Sequence, residues 1–358
     1  DRLHERRDAF NASITTTFRK SFSENFRMRT QLRYLYEQQD HVETYTSGWK
    51  FSVADVPVFD NIDPTTVGAT SLVRPFRSDG YFAITNLDFH DRYIVDALIR
   101  NDGSSLFGAE EQRHWYYRIA GAWRLGEEAW FNMPGVDELK LRYAYGTAGS
   151  RPRFEAQYET YSVDAGSVTP VTLGNNRLKP EFSAEHEVGV DASVMGGRFV
   201  LGLTHANTTT KDQILRVPLP SYTGYTLQWQ NAGTIQSKTW EASLDARVLQ
   251  TDNLSWHVRL LYDRTRSIIT ELNRPPFQYG VPGQNLGTVF FAREGEEVGT
   301  FYGTRAATSC ADLPTGFNCS EFEVNDDGLL VWVGDGSLAD NRWGVDSGVT
   351  SNGSPGVW

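Results

Sequence analysis

The sequence predicts an all-β protein, an antiparallel up-and-down transmembrane β-barrel of which this chain forms part. Apolar and polar side chains alternate along several segments, the links between these segments are alternately short and long, and the 358 residues include 10 Trp, 16 Tyr and 20 Phe. No run reaches the roughly 18 to 20 consecutive apolar residues of a membrane-spanning helix. A barrel needs none, because its lipid-facing and lumen-facing side chains alternate along each strand.

The clearest predicted strand is Asn25–Gln38. Its even-numbered residues are mostly apolar or aromatic, and its odd-numbered residues include three arginines. Ten residue steps of about 3.3 Å, tilted by about 40° to 45°, cover roughly 25 Å along the membrane normal, which is the height of an outer-membrane apolar band. A half-buried strand of a soluble sandwich also alternates, but it usually has only about 5 to 6 residues. The length therefore favours a membrane barrel.

The same alternation predicts ten strands in total. They are Phe10–Arg19, Asn25–Gln38, Tyr81–Asp88, Arg92–Arg100, Trp115–Arg124, Glu138–Tyr145, Ala184–Val194, Phe199–Asn207, Thr239–Leu249 and Leu254–Asp263. The links 21–24, 89–91, 195–198 and 250–253 are short, 126–137 is of medium length, and 38–79, 101–114, 147–182 and 208–237 are long. Such alternation is typical of short periplasmic turns and long external loops.

Ten two-faced strands would leave two open sheet edges, which β-proteins avoid by closing the sheet. We therefore expect a fragment of a larger barrel, cut at both ends. The expected organisation is transmembrane strands and external loops over residues 1–267. Residues 268–358 are expected to be a long external loop region and the start of further barrel wall.

The net charge and the cysteine content restrict the possible partners and the cellular compartment. The formal net charge of −11 argues against a nucleic-acid partner, because phosphate binding requires concentrated Lys and Arg. The two cysteines, Cys310 and Cys319, lie close together in a segment with Gly, Pro and Asn. A local disulfide in an oxidising compartment is the favoured interpretation, and two reduced thiols of a cytosolic protein are the alternative.

Six motifs occur in order between about residues 80 and 305. They are RNDGSSLFG at 100–108, AWRL at 122–125, LKLRYAYGTAG at 139–149, LGNNRLKPE at 173–181, EVGVD at 187–191 and EVGTFYG at 297–303. In sequence and order they resemble the TonB-linked outer-membrane transporters of the SusC/RagA class. After Gly303 the resemblance ends, so no role is inferred from it beyond that point.

The resemblance implies a barrel of about 22 strands with a plugged lumen, the plug domain being absent from this chain. It further implies import of an oligosaccharide or peptide across the bacterial outer membrane, energised by the TonB-ExbB-ExbD complex through the plug, with a SusD-like lipoprotein over the external loops. The lipid bilayer would surround the wall. A TonB-dependent receptor for a metal chelate or vitamin, a passive porin or structural barrel, and a soluble all-β binding or adhesion protein are the alternatives.

Two sets of residues are candidates for binding. The first contains arginines on the lumen side of the strands, which would pair with carboxylates of the plug or, alternatively, contact an anionic substrate: Arg27, Arg29, Arg33, Arg118, Arg124, Arg142 and Arg259. The second contains aromatic residues of the long loops, which would stack on sugar rings or anchor loop packing: Trp49, Tyr158, Tyr161, Tyr222, Tyr225 and Trp229.

The sequence predicts no enzyme. It contains no HExxH, GxSxG, Walker A or CxxC motif, and His186 lies on the opposite strand face from Glu185 and Glu187. Glu323, Asn325 and Asp327 resemble the first half of a Ca²⁺ loop, but the twelfth position is a glycine where a bidentate Glu is needed. An ordinary acidic turn without a cofactor is therefore favoured over a Ca²⁺ site.

Overall fold

The computed structural model describes residues 1–108, 111–164, 166–279, 290–303, 306–313, 317–334 and 350–353. Its strands are β1 (Arg2–Ser23), β2 (Phe26–Ser47), β3 (Gly68–Phe89), β4 (Tyr93–Ser104), β5 (Arg113–Arg124), β6 (Val136–Ser150), β7 (Thr160–Asp164), β8 (Ser167–Leu173), β9 (Glu181–Val194), β10 (Phe199–Lys211), β11 (Ile214–Pro218), β12 (Leu227–Asn231), β13 (Gly233–Gln250), β14 (Ser255–Leu272), β15 (Phe277–Tyr279), β16 (Phe290–Ala292), β17 (Phe301–Gly303), β18 (Phe322–Val324), β19 (Leu330–Trp332) and β20 (Thr350–Gly353).

The only helices in these described ranges are short 3-10 turns. They are Phe59–Asn61, Pro64–Thr66, Leu125–Glu127, Phe154–Gln157, Ser221–Thr223, Cys310–Asp312 and Cys319–Glu321. Within the same ranges, no helix combines the length and hydropathy needed to cross a membrane.

The wall is one ten-stranded sheet in the order β1-β2-β3-β4-β5-β6-β9-β10-β13-β14. The neighbouring strands from β1 through β13 pair antiparallel, so the chain runs up and down. These are the ten strands that the alternation predicts, and the all-β, antiparallel fold class is confirmed. Among the residues that the structure describes, this sheet is open, with β1 and β14 at its edges.

The strands are longer than the alternation indicates. β2 continues to Ser47 and β3 begins at Gly68, so the predicted loop 38–79 is reduced to residues 48–67. Twenty-two residues at about 3.3 Å reach roughly 70 Å, whereas about 33 Å of tilted strand crosses the apolar band. The first three strands therefore continue as a paired ribbon beyond the membrane. There both faces contact water, and the simple apolar and polar alternation is lost.

Short turns join the strands at one end of the wall. His90, Asp91 and Arg92 connect β3 to β4. His90 and Asp91 have positive φ (57° and 55°) and are the central residues of a turn in which the Arg92 amide donates to the Phe89 carbonyl (3.2 Å). Met195, Gly196 and Gly197 make a similar left-handed turn between β9 and β10. The long loops lie at the opposite end.

The register sorts the side chains of the wall onto two faces. We call the face that carries Tyr34 and its cross-strand partners Ile14 and Tyr81 the outer face. The face that carries Arg33 is the inner face. Leu, Ile and Val side chains of the outer face are widely exposed in the isolated chain, which is the arrangement expected for contact with lipid.

Aromatic rings border this apolar band on both sides. Near the short turns, Phe22, Phe26, Phe89, Tyr93 and Trp123 form an unbroken series of ring contacts with centroids 5.1 to 6.3 Å apart. Toward the long loops, the contacts are Tyr34 with Tyr81, Tyr117 with Tyr145, Tyr145 with His186, and His205 with Trp240. From Phe89 to Tyr81, eight steps of about 3.3 Å tilted by about 40° give roughly 20 Å along the normal, close to the height of a barrel's apolar band.

Two compact units divide the chain, Asp1–Thr265 and Arg266–Trp358. The first contains nearly the whole wall and the loops between its strands. In the second, β15, β16, β17 and β20 form a small sheet, and β18 pairs with β19. Ala307, Phe322 and Leu330 form a buried cluster of the second unit.

Candidate functional site

The inner face of the wall is lined by ion pairs between neighbouring strands. Arg142 on β6 is the most connected residue: its guanidinium donates to Glu187 (3.1 Å) and Asp191 (3.1 Å) on β9 and to the Thr204 hydroxyl (3.2 Å) on β10. Lys140 adds a second cation to Asp191 at 2.8 Å. These contacts connect three adjacent strands across the lumen side.

Further lumen arginines are paired in the same way. Arg27 bonds Asp88 (2.8 Å) and also Asp91, Arg118 bonds Asp96 (2.9 Å), and Arg124 bonds Glu138 (3.1 Å) and Glu127 (2.9 Å). Arg259 on β14 bonds Asp245 (2.7 Å). The register places Arg27, Arg118, Arg124 and Arg142 on the inner face, which also carries Arg33. A plug partner is not required for these arginines, because cross-strand neighbours about 5 Å away already supply a carboxylate.

Two external loops combine into one small sheet with the order β11-β12-β8-β7. β7 and β8 belong to the loop after β6, and β11 and β12 belong to the loop after β10. Side chains strengthen this junction: the Asn175 amide donates to the Trp229 carbonyl (2.9 Å), and the Asn231 side chain accepts from Lys179 N (3.0 Å). The two loops therefore form one ordered layer.

This layer bends over the inner face. Glu155 lies 3.5 Å from Arg74 on β3, and Arg151 lies 3.8 Å from Glu37 on β2 and above the Phe76 ring. The register places these wall residues on the same face as Arg33. The loop after β6 consequently lies against the inner face instead of folding outward, and the loop after β10 is joined to it through the small sheet.

Two of the motifs that carry the family resemblance supply buried residues at the external loops. Phe107 of the 100–108 motif and Leu178 of the 173–181 motif are 4% and 0% exposed. Gly174 has main-chain atoms of Gln157 and Tyr158, which precede it in the same loop, 2.8 Å from where a Cβ would lie, so a larger residue would not fit. These two motifs therefore supply packing residues that hold the loops in place.

The predicted aromatic residues are distributed unevenly. Tyr161 and Tyr225 meet across the loop layer with their hydroxyls 3.5 Å apart, and Tyr158 packs on Phe154 at 5.2 Å. Trp229 is half-buried, with the guanidinium groups of Arg153 and Arg216 at 5.9 and 5.8 Å from its ring.

Two other predicted aromatic residues lie apart from this group. Tyr222 is 88% exposed at the tip of the loop after β10, and Trp49 is 60% exposed in the separate loop 48–67. Four of the six predicted aromatic residues thus lie within the loop layer, whereas Tyr222 and Trp49 lie at the outer surface.

A pocket of about 260 Å³ lies where the loop layer meets the extended ends of β2 and β3. We call it the vestibule pocket. Its polar lining consists of Gln39, His41, Arg74, Arg153 and Glu155, and its apolar lining consists of Pro75, Phe76, Leu106, Pro152 and Phe154. Sequence reasoning missed it, because residues 38–79 read as loop. Gln39 and His41 share one face only because β2 continues through them as a strand.

In the second unit, Cys310 and Cys319 form a disulfide with a Cα–Cα distance of 5.7 Å. The adjacent turn is held by Asp312, whose carboxylate accepts from the amides of Thr308 (3.0 Å) and Ser309 (3.0 Å) and from both hydroxyls. The amide of Thr308 is the largest of the causes that lower the pKa of Asp312 to about 2.

The predicted Ca²⁺ residues lie around the turn between β18 and β19. The Asn325 side-chain oxygen accepts from the amides of Asp327 (3.1 Å) and Leu329 (2.9 Å), so it stabilises the turn itself. Across the part of the chain that the structure describes, no group of three or more His, Cys, Asp or Glu could hold a metal ion. His186 and Glu187 lie on opposite faces, as predicted: His186 contacts Tyr143, and Glu187 contacts Arg142.

Comparison with known families identifies this architecture. Residues 3–344 match the family described as TonB dependent receptor-like, beta-barrel. TonB-dependent receptor P26 of Formosa agariphila is 31% identical over 238 residues, which cover 64% of this chain and 24% of that protein. TonB-dependent receptor SusC of Bacteroides thetaiotaomicron is 25% identical over 207 residues, 54% of this chain and 21% of that protein. The chain spans about a quarter of the length of these relatives.

Solved structures share the fold. The RagAB peptide transporter superposes with a TM-score of 0.70 at 20% identity, covering 99% of this chain and 38% of that one. The outer-membrane transporter YddB of Escherichia coli gives a TM-score of 0.54 at 12% identity, over 75% of this chain and 34% of that one. The family consists of receptors and transporters, not enzymes. The chain belongs to the TonB-dependent receptor family, as part of its β-barrel in the outer membrane.

Proposed function

We propose that this chain forms wall and external loops of an active importer, which takes up an oligosaccharide or a peptide across the outer membrane with energy from the TonB-ExbB-ExbD complex. The observation that carries the proposal is the inward fold of the loops after β6 and β10. Glu155 and Arg151 of the loop after β6 contact Arg74 and Glu37, and the loop after β10 is joined to that loop in one sheet, so we infer a narrowed mouth above the lumen. A narrowed mouth suits retention of a cargo before transport, whereas a passive porin requires an open one.

The lining of the mouth favours a cargo with both polar and flat apolar groups. Tyr158, Tyr161 and Tyr225 present rings on the loop layer, and such rings stack on sugars as well as on peptide side chains. The RagAB structure is described as a peptide transporter, which adds support for a peptide. A receptor for a metal chelate or vitamin remains the alternative cargo class.

The vestibule pocket is a suitable place for first contact. Arg74, Arg153 and His41 offer donors, and Glu155 and Gln39 offer acceptors, around one apolar patch. Its volume of about 260 Å³ is below the roughly 300 to 1,000 Å³ of sites that enclose a drug-sized ligand. We therefore infer that it holds a single sugar or amino-acid unit of a longer cargo.

Growth and uptake experiments on cells with the full-length receptor test this function. A deletion strain supplied with single oligosaccharides or peptides as nutrient should lose growth on one cargo class, and removal of TonB should abolish the same uptake. Uptake that persists without TonB would show a passive pore. A hydrolase activity that purifies with the intact receptor would contradict the proposal that the cargo passes unchanged.

We further propose a SusD-like lipoprotein over the external loops. Trp49 and Tyr222 are exposed on different loops and are available to such a partner. Co-purification in detergent should recover the lipoprotein with the receptor, and the double variant W49A/Y222A should recover less of it. Trp130 is the matched control, since it is 66% exposed but lies in the link 125–135 at the opposite end of the wall.

A further inference from the structure

Arg153 lines the vestibule pocket without a carboxylate partner. Within the part of the chain that the structure describes, its side chain makes no ion pair and no hydrogen bond, and its guanidinium lies 5.9 Å from the Trp229 ring. Such a ring contact leaves the five N–H donors of a guanidinium available for hydrogen bonds. Because Arg153 is exposed, these donors can reach a molecule that enters the pocket.

The other guanidinium of the pocket is only loosely paired. Arg74 Nε lies 3.5 Å from Glu155 Oε2, whereas charge-assisted hydrogen bonds are usually about 2.7 to 2.9 Å long. Both atoms are buried, and neither makes a hydrogen bond to a described residue. The same is true of His41 Nε2, although Glu5 lies 2.9 Å from it. Buried polar atoms normally have hydrogen-bond partners, so three exceptions in one pocket indicate a partner that this chain does not supply.

The charge of the lining favours an anionic partner. Arg74 and Glu155 cancel each other, and His41 stands beside Glu5. Arg153 then adds a positive charge that no carboxylate of the described residues balances. A planar guanidinium matches a carboxylate through two parallel N–H···O bonds, and such bonds are roughly twice as strong as neutral ones. A carboxylate is therefore the group that suits Arg153.

The apolar lining restricts what this carboxylate can be attached to. It consists of Pro75, Phe76, Leu106, Pro152 and Phe154. A sugar acid carries hydroxyls on most of its ring carbons, and these would lose their hydrogen bonds to water against such a lining. The last residue of a peptide offers a carboxylate, an apolar side chain and an amide N–H, and Glu155 and Gln39 can accept from that N–H.

We propose that the vestibule pocket binds the carboxyl-terminal residue of a peptide, with its carboxylate on Arg153 and its apolar side chain against Phe76 and Phe154. The amide N–H of that residue donates to Glu155. The inference rests on the proposed function, and it narrows the cargo to peptides that end in a free carboxylate beside an apolar side chain. Arg153 is the residue that determines this specificity.

Binding of defined peptides to the purified full-length receptor in detergent tests the specificity. A chymotryptic digest of casein supplies peptides with aromatic or aliphatic carboxyl termini, and mass spectrometry identifies those that the receptor retains. The retained peptides are then synthesised with a free carboxyl terminus and as the carboxyl-terminal amide. The parent should bind the free form roughly tenfold more tightly, since the amide lacks the charged acceptor for Arg153.

Three variants separate the charge of Arg153 from its packing. R153Q should bring the ratio of the two affinities close to one, and R153K should retain part of it, because lysine keeps the charge but not the planar donors. R153K also serves if R153Q does not fold. R216Q is the matched control and should keep the parent's ratio. Arg216 is also exposed, lies 5.8 Å from the Trp229 ring and has no ion pair among the described residues, but it lies outside the pocket.

The remaining outcomes would overturn the proposal. These are a ratio near one in the parent, retention of no peptide from the digest, and a ratio in R153Q equal to that of the parent. A preference for oligogalacturonate over its methyl ester that R153Q abolishes, without any such preference among peptides, would assign Arg153 to a sugar acid instead. TonB-dependent uptake by cells reports on the proposed function separately, because binding to the purified receptor requires no energy from TonB.

Discussion

Gly108 and Asn176 lie so close that a Cβ atom added to the glycine would overlap the main-chain oxygen of Asn176. Gly108 ends one motif of the family and Asn176 lies within another, so two external loops meet where only glycine fits. The contact joins the loop after β4 to the loop after β6. It explains why residues that seem to be free loop positions in the sequence are packed.

Replacing Gly108 with alanine should therefore loosen the loop layer. Overpacking of this kind costs about 1 to 3 kcal/mol. Limited proteolysis of the full-length receptor in detergent should cut the loop 151–180 faster in G108A than in the parent. G121A is the control, since a Cβ there has nothing within 4 Å. Equal cleavage of G108A and parent would refute the packing role.

Arg142→Gln should lower the stability of the wall. The side chain bridges β6, β9 and β10, and its loss leaves Glu187 and Asp191 with fewer donors. A cost of roughly 1 to 3 kcal/mol is expected in urea unfolding of the refolded receptor. R259Q, which removes one exposed ion pair, should show no measurable loss. A similar midpoint for both variants would contradict the bridging role.

Tyr161 should stay protonated to unusually high pH. Its hydroxyl donates to the Glu159 carboxylate (2.6 Å) and lies 3.5 Å from the Tyr225 hydroxyl, and these contacts raise its pKa above the ordinary value. A raised folded-state pKa gives stability that is present below the ordinary pKa and lost as the pH rises through the folded one. Ultraviolet titration should show that one tyrosine has a lower pKa in E159Q than in the parent. Identical titration curves for the two proteins would contradict the contact between Tyr161 and Glu159.

Asp312 should anchor its turn until strongly acidic pH. The folded pKa of about 2 lies below the ordinary 3.8, so the stabilisation is complete above about pH 4 and is lost as the pH falls toward about 2. Digestion with pepsin across that range should cut at 306–313 only at the acidic end. D312N should be cut throughout, and identical pH profiles for both proteins would argue against the anchor.

The turn around Asn325 should not depend on Ca²⁺. Its side-chain oxygen is occupied by two amides, and the twelfth position, where a Ca²⁺ loop needs a bidentate Glu, is Gly334. Calorimetric titration of the full-length receptor with CaCl₂ should give equal heats for the parent and for E323Q/D327N. Binding that disappears in the double variant would establish the cation site.

The sequence sufficed for the strands because period-two alternation is a local property. Leu32 and Arg33 lie on opposite faces of β2 because successive side chains of a strand alternate, whatever residues lie elsewhere in the chain. The alternation did not predict how far β2 and β3 extend toward the external loops. Above the membrane both faces are wet, so residues such as Gln38 and Arg77 follow no apolar pattern although they pair in register.

The partners of the lumen arginines could not be read from the sequence either. Arg118 and Asp96 are far apart in the chain, and only the register between β4 and β5 brings them near each other. The same holds for Trp229, which is a loop residue in sequence but is flanked by Arg153 and Arg216 in space. The residue types indicated which side chains could take part in ion pairs or ring contacts. Their actual partners depend on the strand register and the loop packing of the fold.

The long strands β1 to β3 determine how far the receptor reaches from the cell. About 70 Å of strand, less about 33 Å within the membrane, leaves a ribbon that rises roughly 30 Å above the lipid at a tilt near 40°. The loop 48–67 sits at its tip. Among the described loops of the unit Asp1–Thr265, it is therefore the one we expect an antibody or a bacteriophage to contact first, and a sequence change there should alter such recognition without disturbing the wall beneath.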